Sequence, residues 1–180
     1  DLKCYEPSEL LTTADQFFNL GDYAAAVDCF ELLLEMFPQA ATSILSKLSE
    51  LYLSIPQQDR FTLYVSRFYD FDIKPTDKVL DIGSGNLPFP LATHLADIAL
   101  TNDSVGRAGV PFKHLNGKPV YECNLENLSF ANQEFDFVYC SHVLEHVSSP
   151  EKACNELMRV GKRGYIETPT RGKDLWLNTA

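Results

Sequence analysis

The chain has 180 residues, of which 45% are apolar, 22% charged and 12% aromatic, and its net charge is −10. A length and composition of this kind exclude a disordered chain, since about 70% of the unfolded surface can be buried in one core or in a medium domain with a small one. With no basic run the long-range field repels nucleic acid and anionic membranes. No apolar stretch approaches the roughly 20 residues that cross a bilayer and no signal-peptide pattern opens the sequence, so the expectation is a cytoplasmic protein. Its five cysteines (Cys4, Cys29, Cys123, Cys140, Cys154) are odd in number and form no C-x-x-C pair, which suggests reduced thiols rather than a disulfide framework or a zinc knuckle.

From Ser8 to about Tyr69 the apolar residues keep helical spacing, with glycine and proline only as punctuation at Gly21, Pro38 and Pro56. Helices are predicted at about 8–20, 23–37, 40–54 and 58–70. Within them "FFNLGDYAAAVDCFELLLEMFP" resembles one tetratricopeptide repeat, whose small, aromatic and proline positions fall on Ala14, Phe17, Gly21, Tyr23, Ala26, Phe30 and Pro38. Such repeats stack in threes. A lone one implies a packing hairpin or the end of a longer array, and a protein partner bound through these helices is the alternative.

After "DIKPTD" short β-rich runs alternate with helical or loop stretches: Lys78–Ile82, a run ending at Asp97 or Asp103, Pro119–Cys123, Phe135–Cys140 and Gly164–Glu167. This alternation predicts an α/β fold, a parallel sheet with covering helices, following an all-helical region. Pro75 marks the boundary, so the expected division is residues 1–74 and 75–180.

In such a sheet ligands lie beyond the carboxyl ends of the strands. After "KVLDI" come Gly83 and Gly85, where missing β-carbons let the backbone turn sharply and approach a ligand. "DIGSG" resembles the first motif of the class I S-adenosylmethionine-dependent methyltransferases. In order behind it, "CNLENLSF", the strand "FDFVYC", the "LEH" segment, "ELMRV" and the closing strand "GYIETP" resemble the later half of the small-molecule, type 11-like branch of that family. The resemblance spans about Asp77 to Pro169 and implies a Rossmann-like sheet with S-adenosyl-L-methionine as cofactor. It also implies roles. Asp81 and the backbone of Gly83 to Gly85 hold the methionine end, Asn124 and the backbone N–H of Leu125 flank the adenine, and Ser141 and His142 line the methyl-transfer mouth. For Asn124 and Ser141 the competing readings are a loop cap and a helix N-cap.

A ribose ligand is expected at the end of the second strand, and two carboxylates compete. Asp103 stands at the usual distance of about 20 residues from the glycines, but that spacing presumes an intervening helix. Pro88 and Pro90 remove donors and block a normal helix start, which favours "LATHLAD" as the strand and Asp97 as its terminal carboxylate.

His142-Val-Leu-Glu145-His146 also spells H-x-x-E-H, a zinc-protease motif that requires both histidines on one helical face. Directly after a strand that helix is not expected, and no metal is assigned. Methyl transfer from a sulfonium draws mainly on positioning, with a base needed for an alcohol or phenol. The nearest candidate catalytic bases are His142 and His146. The acceptor is expected to be a small molecule, O- or N-methylated, with a sugar or secondary metabolite as what the family resemblance implies. The other expectation is a methyltransferase-like scaffold without turnover, because "TRGKDLWLNTA" after "GYIETP" is too short for the family's final two strands: either they lie beyond this sequence or the domain is a reduced one.

Overall fold

The computed structural model describes residues 6–101 and 109–169. Two compact units separate between Tyr69 and Asp70. Among the described residues the first contains four α-helices: α1 (Pro7–Asn19), α2 (Tyr23–Met36), α3 (Ala41–Ser54) and α4 (Gln57–Phe68). Gly21 takes a φ of +78° in the turn after α1, and Asp22 caps α2 by accepting from the Ala25 N–H at 3.1 Å. Ala14 and Ala26 are fully buried, so α1 and α2 approach closely, with Phe30 and Leu33 filling the space behind them. Arg67 on α4 donates to Glu31 on α2 at 2.8 Å and also pairs with Asp28. These spans follow the apolar periodicity to within two residues at each end.

The described residues of the second unit form a five-stranded parallel sheet: β1 (Val79–Ile82), β2 (His94–Asp97), β3 (Val120–Glu122), β4 (Phe137–Ser141) and β5 (Gly164–Glu167), in spatial order β3-β2-β1-β4-β5. One helix, α5 (Pro150–Val160), joins β4 to β5 and buries Ala153, Leu157 and Val160 against Leu80, Ile82, Val138 and Cys140. Among the described residues no helix joins β1 to β2, and none joins β3 to β4. The β3–β4 connection is instead nailed to α5 by Arg159, whose guanidinium donates to the carbonyls of Leu128 (2.8 Å) and Phe130 (2.6 Å) and pairs with Glu156.

On the other face the place of a crossover helix is taken by the loop 83–93. Pro88 and Pro90 forbid a helix, and the loop folds its side chains onto the sheet. Phe89, fully buried, stacks on Tyr139 with centroids 4.1 Å apart and meets Phe71 edge-on at 5.5 Å. Phe71 also contacts Phe137 and Tyr165, and Arg163 donates to the carbonyls of Phe71 and Asp72 and to Asp77. The stretch before Pro75 is thus sewn to the sheet by aromatic packing and one arginine, which is why the units part at 69/70 rather than at Pro75.

Phe89 is fully buried among Phe71, Phe137 and Tyr139. Phe89→Ala is expected to lower the unfolding free energy by about 3–5 kcal/mol, and Phe89→Leu by well under half of that, measured by urea unfolding followed by circular dichroism. An alanine variant within about 1 kcal/mol of wild type would mean that the loop does not act as the sheet's cover.

Candidate functional site

All five strands run the same way, so their carboxyl ends converge on one edge. There the structure brings together Gly83 to Gly85 after β1, Asp97 at the end of β2, Asn124 and Leu125 after β3, Ser141 and His142 at the end of β4, and Glu167 at the end of β5. Gly83 and Gly85 have φ of +73° and +52°, the left-handed region that only glycine enters cheaply. A β-carbon on Gly83 would lie 2.2 Å from Cγ2 of Val143, so the loop after β1 and the turn after β4 touch through the missing side chain.

Asp97 Oδ2 accepts from the Gly85 N–H at 3.0 Å, and Oδ1 from the Ala99 N–H at 3.4 Å. Shortening the β1–β2 connection is what puts this carboxylate beside the glycine loop. Asp103 lies outside the described residues. Ser84 is buried between the two glycines and its Oγ has no hydrogen-bond partner among the described residues. Such an orphaned hydroxyl beside open backbone turns and a carboxylate suits a bound polar molecule with both donors and acceptors.

Asp81 lies beneath the loop at 3% exposure, on the aromatic face, and its Oδ2 accepts from the Phe89 N–H at 2.8 Å. Burial pushes its carboxyl up to about 7. The Phe89 N–H works against that, the Asp97 charge adds to it, and Lys118, which donates to the Ala92 carbonyl, opposes it. Asn124 caps its own loop, Oδ1 accepting from the Glu126 N–H at 2.8 Å, while the Leu125 side chain is buried in the α5-side core. Ser141 closes β4 opposite Glu167.

His142 follows with a φ of +56°, a conformation that few non-glycine residues adopt and that clusters at functional sites. Its N–H donates to the Glu167 carbonyl at 2.9 Å. His146 sits in a single 3₁₀ turn, Leu144–His146, so the helix that the H-x-x-E-H zinc motif needs is not formed. Among the described residues no three metal-ligating side chains come together. Burial raises the Cys140 thiol to about 12 and the Cys123 thiol to about 11, which keeps both protonated and removes them as nucleophiles.

Residues 80–166 match the family described as "Methyltransferase domain". This stretch is a class I methyltransferase domain. Its cofactor is S-adenosylmethionine. Among curated relatives, a ubiquinone/menaquinone biosynthesis C-methyltransferase UbiE of Xanthomonas oryzae pv. oryzae is 36% identical over 103 residues, covering 51% of this chain and 41% of its own length. A demethylmenaquinone methyltransferase of Paenarthrobacter aurescens is 33% identical over 95 residues, covering 52% and 38%. A solved structure of a SAM-dependent methyltransferase from Thermotoga maritima, described as a possible histamine N-methyltransferase, superposes with a TM-score of 0.42 at 20% identity over 74% of this chain and 59% of that one. The chain spans about two fifths of the length of the curated relatives it matches. Among the described residues no helix is long and apolar enough to cross a membrane.

In the sequence Glu145 stands out only within H-x-x-E-H, and Tyr165 and Glu167 only as part of the last strand, yet the structure sets all three around His142. Alternation along β5 would have put Tyr165 and Glu167 on one face, but not beside His142, because the β4–β5 register is a tertiary fact.

Two outcomes follow from the loop. Gly83→Ala should cost about 2 kcal/mol or more through left-handed strain and the Val143 clash, and Val143→Ala in that background should recover part of it, as a thermal-melt double-mutant cycle would read. For Asp81 the folded-state value lies above the unfolded one, so its stabilisation is full at low pH and is lost as pH rises through about 7. Asp81→Asn keeps an acceptor for Phe89 but cannot ionise. Its stability relative to wild type should therefore climb from pH about 4 to about 7, on the order of 1 kcal/mol per pH unit, and then level off. A difference that stays flat across that window would mean that Asp81 is already ionised in the fold.

Proposed function

We propose that the protein transfers a methyl group from S-adenosylmethionine to a small hydroxylated aromatic acceptor of the hydroquinone type. The observation that carries this reading is the carboxylate–glycine contact: Asp97 is bonded to the backbone of Gly85 next to the orphaned Ser84 hydroxyl, at the carboxyl edge of a sheet ordered β3-β2-β1-β4-β5. A carboxylate offers about four lone-pair sites, so Asp97 can take ribose hydroxyls as well as the loop N–H. In this reading the backbone of Gly83 to Gly85 holds the methionine end and Asp81 keeps that loop in place from below. Asn124 and the Leu125 N–H flank the adenine, and Ser141, His142 and His146 face the acceptor.

Bound S-adenosylmethionine supplies a methyl on a sulfonium, whose sulfur leaves with the bonding pair as a neutral thioether. The protein's task is then to orient the acceptor, exclude water and move one proton. The acceptor class is supported by the quinone methyltransferases among the relatives. An oxidised quinone ring is too electron-poor to attack a methyl cation equivalent, so the reduced, dihydroxy form is the one that reacts. The same reading gives the helical unit, which ends at Tyr69, to a protein partner, supported by an apolar pocket among Leu11, Leu33, Phe37 and Ile44.

Calorimetric titration with S-adenosylmethionine tests the proposal. Wild type should bind, Asp97→Ala should weaken binding at least tenfold, about 1.4 kcal/mol, and Asp103→Ala should weaken it less. A folded protein with no heat at millimolar cofactor would sink the reading. Binding without methyl transfer to any small acceptor would favour the scaffold alternative.

A further inference from the structure

Beyond the glycine loop, four polar side chains meet where β4 and β5 end. Glu145 Oε1 stands 3.4 Å from Nδ1 of His142, and Glu167 Oε1 stands 3.7 Å from its Nε2, so each ring nitrogen faces a carboxylate. Tyr165 donates its hydroxyl to the other oxygen of Glu167 at 3.0 Å, and the Glu167 carbonyl holds the His142 backbone N–H. His146 is more exposed and, among the described residues, reaches Glu145 alone, at 3.9 Å, a carboxylate that it shares with His142.

We propose that His142 is the base that takes the acceptor's hydroxyl proton on Nε2, with Glu145 fixing the ring's resting proton on Nδ1 and Glu167, aimed by Tyr165, as the positioning residue that steadies the resulting imidazolium. This deepens the reading above and rests on it. A lone exposed histidine needs none of this. An imidazole set between two carboxylates, one of them anchored by a phenol, is held in one orientation, and its left-handed backbone is kept in place by β5. Val143, the next residue, packs on Gly83, so the base adjoins the cofactor loop. The 3.7 Å gap between Nε2 and Glu167 is too long for a hydrogen bond, which leaves Nε2 open to an acceptor hydroxyl.

The step balances with one proton. The acceptor's O–H breaks, its proton goes to Nε2 and its electron pair stays on the oxygen and the conjugated ring. The ring's pair forms the new bond to the methyl while the sulfur keeps the old one. When attack is through carbon, the ring hydrogen then returns to the oxygen by tautomerisation, so His142 carries the single proton released. A phenol or hydroquinone fits this site. An amine near neutrality would need no such base.

Three measurements on the whole protein decide it. Nitrogen NMR of the neutral His142 ring should find its proton on Nδ1, and Glu145→Gln should weaken that preference. A proton resting on Nε2 would overturn the proposal. Calorimetry should show His142→Gln, Glu167→Gln and Tyr165→Phe binding S-adenosylmethionine within about twofold of wild type. With hydroquinone as the acceptor probe and saturating cofactor, His142→Gln should lower kcat by about 10²–10³. Glu167→Gln and Tyr165→Phe should lower it about tenfold with little change in KM, and Glu167→Asp should recover part of the loss. A kcat for His142→Gln within about twofold of wild type would overturn the base assignment. No methylation of hydroquinone by cofactor-binding wild type would overturn the acceptor class that the base implies. Failure to bind cofactor at all would instead bring down the underlying methyltransferase reading.

Discussion

The hydrogen bond from the Phe89 N–H to the buried carboxyl of Asp81 is the constraint on which the second unit depends. Two prolines deny the chain a helix between β1 and β2, yet that face of the sheet still has to be covered. The bond turns the loop back over β1 and drops Phe89 onto Tyr139. With the crossover this short, β2 begins at His94 and ends at Asp97, one hydrogen bond from Gly85. Steric cover for the sheet and a carboxylate at the glycine loop thus come from a single local choice.

Burying an ionisable group to make that bond is costly unless the group can stay neutral, and burial holds Asp81 near the point where it can. Lys118 limits the penalty from one side and Asp97 adds to it from another. An apolar residue at this position would avoid the cost but leave the Phe89 N–H buried without an acceptor.

Much of the fold was legible in the sequence, because its signals are local. Helical spacing located α1 to α4, β-rich runs located the five strands, and the prolines told Asp97 from Asp103 as the end of β2. Asp81 was harder. A strand-end acid before a glycine pair reads as a cofactor contact, and nothing in the sequence says that a loop amide eight residues on will bind it from the covered face. The environment of His142 was illegible for another reason. Glu145 is a local neighbour, but Glu167 arrives by the pairing of Ser141 with Glu167 across two strands joined by a helix, and register of that kind is set by packing over the whole sheet.

The loop that replaces the helix also changes how this region opens. A crossover helix carries its own amide ladder and can fray or detach while the sheet stays closed. Residues 83–93 have no such ladder. The amides of Gly83 and Ser84 bond the Ala96 carbonyl, that of Gly85 bonds Asp97, that of Phe89 bonds Asp81, and that of Thr93 bonds the Val79 carbonyl. The protons of these five amides exchange with solvent only as fast as their contacts to β1 and β2 part, so the two ends of the segment and its turn at Phe89 inherit the lifetime of the sheet's centre.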